Sequence, residues 1–212
     1  MPIPDFDGST FVAFTDISGF KQMMKKDQRA IRALDHFYSC GFSVLRQNQS
    51  VHGIFISDCG VLFSSDSPGT TSAKLESMLK VIEQLNRQLL EHDIMLTTSI
   101  AYGRFSYHQR VEFDGIEKNP VYGNAYTAAF LDNESGQPAI QPGECRIVKR
   151  GLDSEPLQSD ERLVAQRNHF YFYWMVSSKD EVQRFTDRYA DAYEQKYRGM
   201  LGAIKDAASI GR

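Results

Sequence analysis

Apolar and polar positions along the first hundred residues alternate with two periods. Phe11, Val12, Ala13 and Phe14 form an unbroken apolar run, which predicts a buried strand ending at Asp16. Over residues 27–47, Ile31, Leu34, Tyr38, Phe42 and Leu45 recur at helical spacing and predict a helix. His36 on that helix reads as a surface or satisfied histidine. Ile54, Phe55 and Ile56 face Val61, Leu62 and Phe63 across Ser57-Asp58-Cys59-Gly60, which predicts a hairpin over 51–64 with those four residues as its turn. Leu75, Met78, Leu79, Ile82, Leu85 and Leu89 line one face of a helix over 71–92. Ile94, Leu96, Thr98 and Ile100 alternate as a strand that Gly103 ends. The order β-α-β-β-α-β predicts an α+β fold, the ferredoxin-like split unit, with helices on one face of the sheet.

The rest of the chain is less periodic. Residues 18–26 read as a short helix, 106–119 as a loop or short β arm, and 122–131 as a turn and helix. Residues 134–143 read as a surface loop, 145–148 as a strand, 152–162 as loop or a helical turn, and 169–176 as an apolar strand containing Trp174. Ser178-Lys-Asp-Glu181 is a capping box that opens a long helix to about residue 207. The expected organisation is one domain over 1–178, with extra C-terminal strands, and a helical extension over 179–212.

A chain of 212 residues holds one well-buried core and is short for two. Its net charge of −3, without a long basic run or basic-aromatic alternation, argues against nucleic-acid binding. The first residues, Met1-Pro-Ile-Pro-Asp5, have no positive and no apolar stretch, so no secretory signal is expected. The apolar runs are too short to cross a membrane. Cys40, Cys59 and Cys145 are odd in number and form no zinc pattern, so they read as reduced thiols of a cytoplasmic protein. Cys59 reads as a small packed hairpin residue.

The candidate chemistry sits at two strand ends. Asp16 ends the first strand before a Ser18-Gly19 break, and Asp58 stands at the hairpin tip. Two carboxylates that meet over one sheet face repel, and such a pair usually holds a shared proton or a divalent cation.

Phe14-Thr-Asp-Ile-Ser-Gly-Phe20 closely resembles the first metal-binding stretch of the class III nucleotidyl cyclases, and the Asp58 hairpin resembles their second, with Ser57 in place of the usual glycine. Gly103-Arg104 and Val121-Tyr-Gly123 follow in the family's order, so the resemblance spans roughly residues 9–178. The resemblance implies a two-metal reaction that converts a nucleoside triphosphate to its 3′,5′-cyclic monophosphate and pyrophosphate. Asp16, Asp58 and the Ile17 backbone carbonyl would hold two manganese or magnesium ions. The amides around Ser18, Gly19 and Phe20 would receive the triphosphate, and Arg104 would grip a phosphate. Arg167 lies near the family's late phosphate-binding lysine, in a looser alignment. With one copy of the domain and no internal repeat, the implied assembly is a head-to-tail homodimer with sites at the interface.

The chain departs from the purine cyclases at the base pocket. Ile54 and Pro120 stand at the two base-reading positions, and neither reads a purine edge by hydrogen bonds. Thr127 stands for the family's late asparagine and Leu131 for its transition-state arginine. The compact pattern is most similar to the bacterial Pycsar pyrimidine cyclases, which implies UTP or CTP as substrate and a second messenger in anti-phage defence. A purine cyclase with an unusual base pocket and a catalytically silent regulatory module are the alternatives. A diguanylate cyclase is disfavoured because Ser57-Asp58-Cys59 does not match that family's hairpin.

Overall fold

The first strand, β1 (Phe6–Ile17), is the axis of the molecule. In the computed structural model, which describes residues 3–25, 27–65, 69–108, 110–113, 116–118, 120–152, 160–176, 178 and 180, it pairs on both edges. One edge meets β3 (Cys59–Ser64), from Val12↔Phe63 to Asp16↔Cys59. The other meets β4 (Leu96–Tyr107) from Phe6↔Tyr107 to Ile17↔Leu96. With β2 (Val51–Ile56) beyond β3, the core has the order β2-β3-β1-β4 with antiparallel neighbours. The connecting helices are α2 (Asp27–Gln47) and α3 (Thr71–Leu90), which completes the βαββαβ unit. The sheet continues past β4 into a parallel β8 (Cys145–Val148), then β10 (His169–Phe172) and β9 (Leu163–Gln166). A short β7 (Val121–Tyr122) also pairs with β4, and β5 (Arg110–Phe113) with β6 (Ile116–Lys118) forms a separate two-stranded arm.

Strand alternation divides the side chains into two cores. Phe11, Ala13 and Ile17 face the α2/α3 layer, where Phe37, Met78, Ile82 and Leu85 are buried with them. Val12, Phe14, Val61, Phe63, Ala101 and Phe105 face the other way and meet Ala125 and Ala129 of α4 (Asn124–Ser135). Gly123 lets α4 begin hard against β4, since a Cβ there would strike the Arg104 carbonyl oxygen. The second face is therefore partly covered by the chain's own α4, where a fully open face was expected.

Several boundaries differ from expectation. Gly103 does not end β4, because residues 6–10 supply five more pairing partners, out to Phe6↔Tyr107. Of the helix expected over 18–26, the described residues 18–25 hold a single turn, α1 (Phe20–Met23), which opens at Gly19 in the left-handed region (φ 74°). The hairpin turn is Ser57-Asp58 alone, because Cys59 and Gly60 already pair with Ile56 and Phe55. The third helix stops at Leu90, and α4 runs four residues past 131. Leu163–Gln166 is an edge strand hidden by its half-exposed, mixed composition, and β10 stops at Phe172. The arm expected as an alternative over 106–119 forms as β5 and β6. The long C-terminal helix falls outside the described residues.

Candidate active site

The two strand ends meet. The Ile17 amide donates to the Asp58 carbonyl oxygen (2.9 Å), and Asp16 is the register partner of Cys59. Ser57 is held at φ 54°, the left-handed region in which glycine is at ease, so the serine carries strain of about 1–2 kcal/mol in the turn that presents Asp58. The Cys59 thiol donates to the Ile56 carbonyl oxygen (3.1 Å) and closes the tip.

The charges in this corner are uncompensated. The Asp16 carboxyl is pushed up to about 7, first by burial and then by the negative charges of Asp58 and Glu134. Burial, with Asp16, Asp58 and Glu134, also pushes up the Cys59 thiol. Glu134, the first residue of the expected surface loop over 134–143, lies instead in the last turn of α4. It arrives on α4, whose Phe130, one turn earlier, meets Phe14 edge-on with ring centroids 5.2 Å apart. Next to Glu134, Asn133 accepts a hydrogen bond from Thr97, the register partner of Asp16 (3.1 Å). The last turn of α4 is thus fastened beside Asp16 and contains no basic residue. Phe14 with Asp16, and Phe130 with Glu134, carried the signal, but only docking of α4 joins the pairs.

This corner fits divalent cations. A carboxyl that holds its proton to near neutrality because it is buried and other anions crowd it is one from which a dication displaces the proton. Among the described residues no group of three or more His, Cys, Asp or Glu side chains converges as a ready ligand set. The donors on hand are Asp16, Asp58 and backbone oxygens, which suit hard, oxygen-seeking ions.

The other sequence candidates divide. Ser18 is close by, but its amide is not free: it donates to the Met95 carbonyl oxygen (2.8 Å). Its buried hydroxyl has no partner among the described residues. Phe20 is buried and belongs to the α2/α3 core. Ile54 lies on the α4 face in the row Phe14–Val61–Ile54, adjacent to the row Asp16–Cys59–Ile56. Its surroundings are apolar, with Tyr126 and Phe130 packed against the same cluster. Thr127 and Leu131 are exposed on α4, and the Thr127 hydroxyl donates to the Gly123 carbonyl oxygen (3.2 Å). Arg167 lies in the β9–β10 turn at φ 36°.

Arg104 does not join the corner. It pairs with Ser9, seven residues along β1 from Asp16, or on the order of 20 Å by strand rise. Its guanidinium donates to both oxygens of Asp7 (3.1 and 3.0 Å).

A second polar cluster was not foreseen. Arg146, fully buried, donates through Nε to Asp132 (2.7 Å) and through its terminal nitrogens to the carbonyl oxygens of Asp132 and Pro138. Ser99 donates to Asp132 (2.7 Å), and His169 Nε2 lies 2.8 Å from its other oxygen. Burial opposes ionisation of Asp132, but these hydrogen bonds outweigh it and hold the carboxyl below its usual range. The cluster ties the end of α4 to β4, β8 and β10, and so fixes the turn that carries Glu134.

The chain matches no protein-family model and no curated protein. Solved structures do resemble it. The adenylyl cyclase CyaB from P. aeruginosa is 13% identical, with 83% of this chain and 97% of that one covered at a TM-score of 0.57. The monomeric guanylyl cyclase domain of the RhoGC fusion protein from Blastocladiella emersonii is 11% identical over 81% and 98% of the two chains, at 0.61. The guanylate cyclase domain of RhGC from Catenaria anguillulae, solved with GTP, is 12% identical over 80% and 96%, at 0.56. No helix among the described residues is long and apolar enough to cross a membrane. The described residues thus have the fold of an adenylyl or guanylyl cyclase domain, with Asp16 and Asp58 together at one corner of its sheet.

Proposed function

We propose that the protein is a nucleotidyl cyclase that acts on a pyrimidine nucleoside triphosphate. The observation that carries the proposal is the crowded Asp16–Asp58 corner on a sheet of cyclase topology. In the reaction the ribose 3′-oxygen bonds to the α-phosphorus. The bond from that phosphorus to the bridging oxygen breaks, pyrophosphate leaves with the electron pair, and the 3′-hydroxyl proton passes to solvent. Two manganese or magnesium ions, held by Asp16, Asp58 and the Ile17 carbonyl oxygen, would activate the 3′-hydroxyl and neutralise the triphosphate. Ser18 offers its hydroxyl beside this site, and Gly19 lets the backbone approach the phosphates.

The base preference rests on Ile54. An apolar side chain one row from Asp16, with Phe14 and Val61 beside it, offers a flat surface for a ring and no hydrogen bond for a purine edge. Two exposed apolar side chains, Ile56 (62% exposed) and Leu131 (51%), favour a second copy over this face, as a head-to-tail homodimer would provide. The resemblance to the Pycsar cyclases extends the reading to a second messenger in anti-phage defence.

The test is incubation of the purified protein with Mn²⁺ and each of the four ribonucleoside triphosphates, with products identified by mass. A cyclic pyrimidine monophosphate, absent with Asp58→Asn, is expected. A purine product would overturn the base preference. No product from a folded dimer would turn the reading to a silent regulatory module.

A further inference from the structure

Away from the carboxylate corner, a cavity of about 570 Å³ opens between the start of α2 and the turn that joins α3 to β4. Its polar lining is Gln28, Arg29, Arg32 and His36 from α2, with His92 and Asp93 from the turn. The two histidine rings lie face to face, with centroids 3.7 Å apart and planes within 12°. Arg32 is anchored by Nε to the Gln28 carbonyl oxygen (3.1 Å), which leaves its terminal nitrogens directed elsewhere. Among the described residues neither Arg29 nor Arg32 forms an ion pair.

Folding alone gives the two arginines little reason to be here. Like charges one turn apart destabilise a helix by about 0.2–0.5 kcal/mol per pair. Arg29, in the first turn of α2, also opposes the helix dipole. Asp93 differs, since its left-handed φ of 58° closes α3, with the Asp93 amide donating to the Leu90 carbonyl oxygen and the Ile94 amide to that of Leu89. Local rules broken together around one cavity point to a ligand.

We propose that this cavity binds a phosphorylated small molecule about the size of a mononucleotide. Arg29 and Arg32 present guanidinium donors that match phosphate oxygens. The His36–His92 stack supplies a wall of ring edges and faces, and the Asp93 carboxylate accepts from a hydroxyl or amino group at the ligand's other end. The volume lies within the range of small-molecule sites, about 300–1,000 Å³. The site is joined to the carboxylate corner through backbone. Met23 and Ile94 line the cavity, and the Ser18 amide, two residues past Asp16, bonds to Met95, the neighbour of Ile94. The inference does not depend on the proposed cyclase activity.

The experiment uses the full chain as Asp58→Asn, in EDTA, so that metal-dependent binding at the carboxylate corner is removed. The probes are inorganic pyrophosphate and uridine 5′-monophosphate, followed by calorimetry and by the ring resonances of His36 and His92. Saturable binding that shifts both histidines, and is weakened at least about tenfold by Arg29→Gln with Arg32→Gln, is the expected result. Binding that is equal in the glutamine variant, or that leaves both rings unmoved, would overturn the proposal. So would no binding of either probe at about 10 mM, a concentration far above useful cellular affinities. The glutamine variant keeps helix-forming side chains, and its melting temperature checks that lost binding is not lost fold.

Discussion

The Ile17 amide and the Asp58 carbonyl oxygen lie 2.9 Å apart, so the backbone that carries one candidate metal ligand is bonded to the backbone that carries the other. The two Cα positions that carry the carboxylates cannot separate without breaking that strand-end hydrogen bond. The backbone of the corner is therefore pre-built, and it keeps the two negative charges close enough to repel in the metal-free fold.

A pH dependence follows from the burial of Asp16 and, after it, from that repulsion. The Asp16 carboxyl is raised from 3.8 to about 7, so the folded chain binds a proton more tightly than the unfolded one. The sign is set by this: the contribution of Asp16 is fully present below the ordinary carboxylate range and is lost as pH rises through about 7. Without metal, the melting temperature is expected to fall by several degrees between about pH 4 and pH 8 through this group. Asp16→Asn should flatten that part of the profile, and saturating Mn²⁺ should do the same in the unaltered chain. A profile unchanged by Asp16→Asn would show that the carboxyl is not crowded.

Glu134 is the residue whose removal separates charge from ligation. It adds to the field at Asp16 and Cys59 from α4. Glu134→Gln should keep the fold and weaken Mn²⁺ binding by about tenfold, the scale of lost outer contacts at metal sites. It should also lower the pH at which Asp16 releases its proton. Electron paramagnetic resonance titration of free Mn²⁺ reads the first effect, and the melting profile reads the second. Equal Mn²⁺ affinity in both proteins would remove Glu134 from the site.

What the sequence disclosed and what it hid divide along one physical line. β1, the hairpin and α3 are legible because each buries one continuous apolar face, and Phe11, Leu62, Met78 and Ile82 record it. For α2 the helix is legible but its buried face is not. Ile31 and Phe42 are exposed, and Leu34, Tyr38 and Leu45 are only partly buried. The row that packs inward is Ala30, Ala33, Phe37, Cys40 and Val44, which small side chains disguise. Asp16 and Asp58 are legible because each interrupts such a run at a strand end. The first part of β1 is not, since Asp7, Gly8, Ser9 and Thr10 are polar and owe their strand state to pairing with β4. Glu134 and the Asp132–Arg146–His169 cluster are hidden for a related reason. Their partners come from separate elements, and only the docking of α4 brings them together.

That cluster should matter for stability more than its surface area suggests. Arg146 is fully buried, and Asp132 is the only side-chain carboxylate bonded to it among the described residues. Asp132→Ala would strand a buried guanidinium, at a cost of about 3–5 kcal/mol. The melting temperature should fall by about 10 °C. Paired replacement, Asp132→Leu with Arg146→Met, removes both charges and should recover part of the loss. A fall no smaller in the paired variant would mean that shape, rather than charge, holds α4 in place.

Arg104 offers the sharpest contrast between motif and placement. Its motif suggests a phosphate ligand, yet the register sets it seven residues from Asp16 along β1. Strand alternation also turns it to the other face. Phe105 and Tyr107 point to the α4 side, so Arg104 and Ser106 point away from it. There Asp7 receives both the Arg104 guanidinium and the Ser106 hydroxyl, and that hydroxyl is the chief influence holding the Asp7 carboxyl below its usual value. Arg104→Ala should therefore leave turnover within about threefold of the parent, with little change in melting temperature, as befits an exposed ion pair. If turnover is instead lost, mixing this variant with Asp58→Asn distinguishes two causes. In a randomly re-paired head-to-tail dimer, about a quarter of the sites would regain a complete set if Arg104 serves the partner's site. Recovery to that level would place the arginine across the interface, whereas loss without recovery would assign it to the site of its own chain.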